Sequence, residues 1–193
     1  MDIVFATNNK HKVEEAQAIL GDLFHLITLG DLQFFEDIPE TAPTLQGNAF
    51  MKAQHVWDKI HRPCFADDTG LEVDALNGAP GVYSARYAGV EHNPTKNTIK
   101  LLKEMTGARD RKARFRTVTA LIIDGDTFYF EGVLEGKITK SPHGEMGFGY
   151  DPVFIPAGYD RTLAELTPEE KNAISHRGQS LRKLSEFLGN NLQ

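Results

Sequence analysis

Four short stretches carry residue types from which a phosphate-handling site can be built. The first is TNNKHK, residues 7–12, which follows the apolar run IVFA (3–6) and opens a helical pattern. Backbone N–H groups at a helix N-terminus bind anions, and Lys10 and Lys12 add positive charge there. Asn8 and Asn9 tolerate left-handed backbone that points successive N–H groups inward. The stretch lacks the glycines of a Walker A loop, which argues against a P-loop ATPase. An ordinary capped helix with exposed lysines fits it equally well. The second stretch, FADDTGLEV (65–73), sets Asp67 and Asp68 after an apolar run and before a Thr-Gly turn. Carboxylates at a strand end suit magnesium, a hard cation that takes oxygen ligands and keeps several waters. The same four residues are also good turn chemistry. Glu40, in IPETAPT, is a possible third carboxylate, and its approach to Asp68 is left open.

The third stretch, GEMGFGYDP (144–152), has three glycines that let backbone approach a ligand, and Phe148 or Tyr150 offers a flat face for a base. A Gly-rich loop with aromatic core anchors is the ordinary alternative. The fourth, ISHRG (174–178), sets Ser175, His176 and Arg177 against the last helix. Ser175 there caps a helix while the two basic side chains face water, or the triplet presents hydrogen-bond donors to a ligand. Together the four supply an anion cradle, carboxylates, a stacking loop and donors, the parts needed to hold a nucleoside triphosphate with its metal.

The elements that must position these residues follow from periodicity. IVFA reads as a buried strand. Val13, Ala16, Ile19 and Leu20 share a helix face that stops at Gly21, and Ala49, Ala53, Val56, Trp57 and Ile60 mark a second helix. Asn93-Pro94 is an N-cap with Pro at N1, opening a helix through Ile99, Leu102 and Met105. ARFRTVTALIID and TFYFEGVLEG are strands joined at Asp124-Gly125, a hairpin turn signal. Thr167-Pro168-Glu169-Glu170 is a capping box, and a final helix carries Leu181, Leu184, Phe187 and Leu188 before Gly189. Helices interleaved with strands, and a central hairpin, predict an α/β domain with a mixed sheet and no separate second domain over residues 1–193.

Composition narrows the function classes. At 193 residues, 40% hydrophobic and 25% charged, the chain is an average globular domain. No apolar run reaches a membrane span, and the N-terminus lacks the basic start and apolar stretch of a signal peptide, so a cytoplasmic protein is expected. A single cysteine, Cys64 beside Phe65, reads as a core thiol in a reducing compartment and excludes a cysteine zinc site. A net charge of −6 gives no footprint for nucleic acid, and the basic cluster RDRKARFR (109–116) reads as a solvated strand edge.

These stretches resemble the inosine triphosphate pyrophosphatases, also called dITP/XTP diphosphatases. TNNKHK is similar to that family's T-G/N-N-x-x-K loop and ADDTGL to its A-D-D-S-G-L segment, with Thr69 for the commoner Ser. GAPGVYSARYAG, FGYDP and EEKNAISHRG match the remaining blocks in order, so the resemblance runs from about residue 3 to about residue 188. One segment departs: many bacterial members carry E-E-T-G-x-T-F-x-E-N-A where this chain has PETAPTLQGNA, with Pro39 and Gly47 in place of two acids.

The resemblance implies a two-lobed α/β fold around a long mixed sheet flanked by helices, a homodimer, and magnesium-dependent hydrolysis of dITP, ITP and XTP to the monophosphate and pyrophosphate. It implies that Thr7, Asn8, Asn9, Lys10, His11 and Lys12 line the phosphate site, with Lys52 also reaching the phosphates. Asp68 would be general base and metal ligand, Glu40 the second ligand (Asp67 being the alternative), and Thr69 a substrate contact. Phe148, Gly149, Tyr150, Asp151, Lys171, His176 and Arg177 would form the nucleoside site. The bottom-up chemistry agrees: magnesium lowers the pKa of a bound water, which an aspartate then orients or deprotonates for in-line attack, taken to be at the α-phosphorus. The rival readings are a pyrimidine or modified-nucleotide pyrophosphatase of the septum-inhibitor type and a nucleotide-binding sensor without catalysis. The Ser-His-Arg block argues against the first, and the retained Asp68 and Glu40 against the second.

Overall fold

The structure, a computed structural model, describes residues 1–191. Among the described residues the chain forms, in order, β1 (Asp2–Phe5), α1 (Lys10–Leu20), β2 (His25–Thr28), α2 (Leu45–Ile60), β3 (Cys64–Val73), β4 (Pro80–Gly81), α3 (Pro94–Glu104), β5 (Lys112–Ile123), β6 (Asp126–Ile138), β7 (Phe154–Pro156), α4 (Pro168–Ile174) and α5 (His176–Asn191). The strands hydrogen-bond in the order β2-β1-β3-β5-β6-β7, with β4 also pairing β3. β1 runs parallel to β2 and β3, whereas β4 on β3 and β7 on β6 are antiparallel, so the sheet is mixed. This is the α/β class that the element pattern predicts. Among the described residues no helix is long and apolar enough to cross a membrane.

The chain folds as two compact units. The first comprises Met1–Asp68, Thr117–Gly132 and the chain from Arg177 onward; the second comprises Thr69–Arg116 and Val133–His176. In the first unit β1 is apolar from Ile3 to Phe5 because both of its faces are covered there. Ile3 and Phe5 pack with Ala16 and Leu20 of α1 and Leu181 and Leu184 of α5. Val4, on the opposite face, packs with Ala49, Ala53 and Val56 of α2. The second unit has its own core, in which Leu71, Leu101, Phe115, Ile138, Tyr150 and Phe154 meet.

Local signals account for most element ends. Asn93 accepts from Lys96 N at 2.9 Å and Pro94 opens α3. Thr167 and Glu170 make the reciprocal capping box of α4. Asp124 and Gly125 both have positive φ, as the two-residue turn between β5 and β6 requires. Three expectations are corrected. α5 continues through Gly189 to Asn191. In α3, Ile99 faces outward while Leu101 is buried, and Met105 is its buried C-cap. RDRKARFR is no sheet edge: β5 lies between β3 and β6, Phe115 is buried, and Arg114 and Arg116 pair with Glu72 at 3.5 and 3.2 Å.

Candidate active site

Asp67 and Asp68 stand in the middle of β3, not at its end. The strand continues through Thr69 and Gly70 to Val73, so the expected Thr-Gly turn is absent. Successive side chains of a strand point to opposite faces. Phe65 stacks on Phe5 at 4.4 Å and packs with α1 and α5, so Asp67, two residues on, faces the same helices. Cys64 and Ala66 pack against α2, and Asp68 joins them on that face.

On the α1/α5 face Asp67 is enclosed by cations. Lys12 Nζ donates to its Oδ1 at 2.9 Å and Arg177 Nε donates to its Oδ2 at 3.0 Å. The Arg177 Nη1 also donates to Glu15, and the Arg177 side chain is only 2% exposed. Burial alone would push the Asp67 pKa up, but Lys12 and Arg177 outweigh it and hold the carboxyl well below its usual range.

On the α2 face Asp68 has a different environment. Asn48 Nδ2 donates to its Oδ2 at 3.1 Å, and Lys52 Nζ lies 3.8 Å from its Oδ1. Lys52 also pairs with Glu40, so one ammonium joins the two carboxylates whose proximity the sequence left open. Burial raises the Asp68 pKa, and the attraction of Lys52 and Lys12 offsets this only in part. For Lys52 burial works downward, but Asp68 and Glu40 outweigh it and raise the ammonium.

The segment 7–12 is a capped helix start. Asn9 is the N-cap in extended backbone, its side chain accepting from Lys12 N at 3.3 Å, and neither Asn8 nor Asn9 has the positive φ their types allow. Asn8, Asn9, Lys10 and His11 are exposed, Thr7 is half-buried, and Lys12 is the member turned inward.

The second unit gathers the remaining candidates. Asp151, 3% exposed, accepts at its Oδ2 from Phe148 N at 3.0 Å and from Lys171 Nζ at 2.7 Å. The Lys171 ammonium also lies 4.6 Å from the centroid of the Phe148 ring, a cation–π contact. Gly147 has φ +73 and an added Cβ would fall 2.2 Å from Asp151 Oδ2, so no side chain fits beneath this loop. Tyr150 is 6% exposed and its hydroxyl donates to Ser84 O at 2.7 Å, which makes it the core anchor and leaves Phe148 as the half-buried ring of the pair. Gly149 (φ +63) joins them, and Thr69 is half-buried in β3. His176 does not face water: it is 4% exposed and stacks on Phe115 at 4.7 Å. Arg177, its chain neighbour, belongs to the other unit with Asp67 and Glu15 rather than with His176 and Lys171.

Several participants escaped the sequence reading. Asn48, Phe115 and Glu15 were not singled out, although N-A of the family block is retained at Asn48-Ala49. In the departing segment a Cβ on Gly47 would sit 2.6 Å from the Cβ of Ala42. Glu40 and Asp68 share Lys52, whereas Asp67 pairs with Lys12 and Arg177. Among the described residues no group of three metal-ligating side chains is assembled. Two carboxylates still fit magnesium, which is commonly bound by one or two carboxylates together with substrate phosphates and water.

The chain belongs to the Ham1 family, whose family model matches residues 3–187. It is 50% identical over 188 residues to a dITP/XTP pyrophosphatase of Flavobacterium johnsoniae, covering 97% of this chain and 98% of that protein. A dITP/XTP pyrophosphatase of Porphyromonas gingivalis is 51% identical over 187 residues, with 96% of each chain covered. A solved structure, a HAM1 protein from Coxiella burnetii, superposes with a TM-score of 0.90 at 42% identity, covering 98% of this chain and 99% of the other.

Proposed function

We propose that this chain hydrolyses non-standard purine nucleoside triphosphates (dITP, ITP and XTP) to the monophosphate and pyrophosphate. The observation that carries the reading is Asp68: a buried carboxylate with a raised pKa, held by Asn48 and standing beside a lysine that also reaches Glu40. A base with a raised pKa is better matched to neutral pH than an ordinary aspartate. In this reading Asp68 accepts the proton of the attacking water, Lys52 and Lys12 meet the phosphate charge, and the start of α1 from Thr7 supplies N–H donors and further positive charge. Magnesium would be held by Glu40 and Asp68, where it would screen the triphosphate and acidify a bound water. Asp67 takes no part in the chemistry. It anchors the Lys12 and Arg177 side chains, which it binds directly.

The second unit recognises the base. Phe148 offers its ring for stacking, and His176, Lys171 and backbone N–H groups near Ser175 supply donors. Hypoxanthine and xanthine carry an oxygen at purine position 6, which satisfies such donors, whereas adenine presents an amino group. An unpaired buried donor costs about 1–3 kcal/mol, enough to discriminate. The protein acts as a homodimer in the cytoplasm, as its composition and family resemblance suggest. Pyrophosphate release from ITP, dITP, XTP, ATP, GTP and UTP, each with magnesium and with a chelator, tests the reading. Release confined to the first three and abolished by chelation is expected; equal release from ATP or UTP would overturn it.

A further inference from the structure

Asn48, the fourth residue of α2, is fully buried, and both ends of its amide are engaged. Its Oδ1 accepts from Ala42 N at 2.9 Å, and its Nδ2 donates to Asp68 Oδ2 at 3.1 Å. A backbone N–H can only donate, so the amide oxygen must face Ala42, and the NH₂ is thereby directed at Asp68. One side chain therefore connects two parts of the proposed chemistry: the loop carrying Glu40, two residues before Ala42, and the carboxylate on β3. The loop sits close enough on α2 that a Cβ at Gly47 would collide with Ala42, so the spacing between loop and helix is fixed at this point. The bond to Oδ2 also sets the rotation of the carboxyl, with Oδ1 toward Lys52.

We infer that Asn48 is a positioning residue for hydrolysis: it orients the Asp68 carboxylate and ties the Glu40 loop to α2. The inference rests on the proposed role of Asp68 and goes beyond it, because both polar groups of Asn48 are engaged by Ala42 and Asp68, so it acts through them. A buried amide that served stability alone would need only to have its two hydrogen-bonding groups satisfied. Here the group satisfied on one side is the reacting carboxylate itself, and displacing a reacting group by about 1 Å can cost on the order of a hundredfold in rate.

The test compares Asn48→Asp and Asn48→Gln with wild type, measuring kcat and KM for ITP together with circular dichroism. Asn48→Asp keeps the size and the acceptor for Ala42 but loses the donor to Asp68. Asn48→Gln introduces no charge and carries the same amide one methylene further out, so it remains informative if the aspartate variant does not fold. Expected for each folded variant is a kcat lower by at least about tenfold, within the range misplacement can cause, with little change in KM. A folded variant with wild-type kcat overturns the inference, and so does one whose KM rises while kcat holds. Asp68→Asn, assayed alongside, separates the two claims. If it retains full turnover, the reading of Asp68 fails and takes the inference with it; if it is inactive while both Asn48 variants turn over normally, the inference alone fails.

Discussion

Asp67 and Asp68 are neighbours in sequence, yet the two faces of β3 give them opposite characters. On the α1/α5 face two buried cations clamp Asp67 and hold its pKa low, whereas on the α2 face burial dominates at Asp68 and its pKa rises. Adjacent carboxylates whose environments push their pKa values apart can take separate tasks. In the proposed function one is a fixed structural anion and the other the base. The difference arises from strand alternation alone: a one-residue shift of β3 would exchange the two roles.

The largest expected effect on stability tests the Asp67 face. Asp67→Asn leaves Lys12 and Arg177 with their main counter-ion gone, and breaking a buried pair costs about 3–5 kcal/mol. Thermal or urea unfolding should register that loss at pH 7; a variant as stable as wild type would show that the clamp is not structural. The pH dependence follows with its sign. The folded pKa of Asp67 is depressed, so its stabilising contribution is present above the ordinary value of 3.8 and is lost as pH falls toward the folded pKa. Wild type should therefore lose more stability than Asp67→Asn on acidification below about pH 5, the window in which a paired carboxylate takes up its proton. For Asp68 the sign is reversed, because a raised carboxylate pKa costs stability once pH exceeds 3.8.

A smaller effect concerns the second unit. Lys171→Met keeps the aliphatic stem over Phe148 and removes the charge that Asp151 holds. The ratio of kcat/KM for ITP over ATP should narrow by about tenfold, corresponding to roughly 1.4 kcal/mol of lost polar matching, with turnover at saturating ITP less affected. An unchanged ratio would confine Lys171 to packing.

The smallest concerns Ala42 and Gly47, near Asn48. Gly47→Ala should destabilise by about 1–3 kcal/mol through crowding against Ala42, offset in part by the roughly 1 kcal/mol helix preference of Ala over Gly. Ala42→Gly in the same chain should relieve the crowding, which a double-mutant cycle of unfolding free energies would reveal as coupling. Additive free energies would mean that the two positions are independent.

What was legible in the sequence was local. The apolar faces of α1 and α2, the caps of α3 and α4 and the Asp124-Gly125 turn depend on residues within a few positions of one another, and each formed as read. The Asp67-Asp68 stretch was misjudged as a strand end because Asp-Asp-Thr-Gly carries turn chemistry, and only distant partners make it tolerable inside a strand. Those partners, Lys12 and Arg177, lie 55 and 110 residues away. Arg177 was grouped with His176 because they are consecutive, whereas the chain passes from one compact unit to the other between them. Asn48 was silent for a related reason: an Asn early in a helix is unremarkable until its two partners, 6 and 20 residues off, are seen. Phe115 was hidden in a run dominated by arginines.

The most direct test of the division between the two faces of β3 is turnover of ITP by Asp68→Asn, with its melting temperature measured on the same sample. The amide keeps the size of the side chain but accepts no proton and relieves a buried charge. The expected result is a kcat at least about a hundredfold lower, the least assigned to general-base catalysis, in a protein as stable as wild type or more so. A variant that keeps near-normal turnover with saturating magnesium, or that loses activity only because it unfolds, would contradict it.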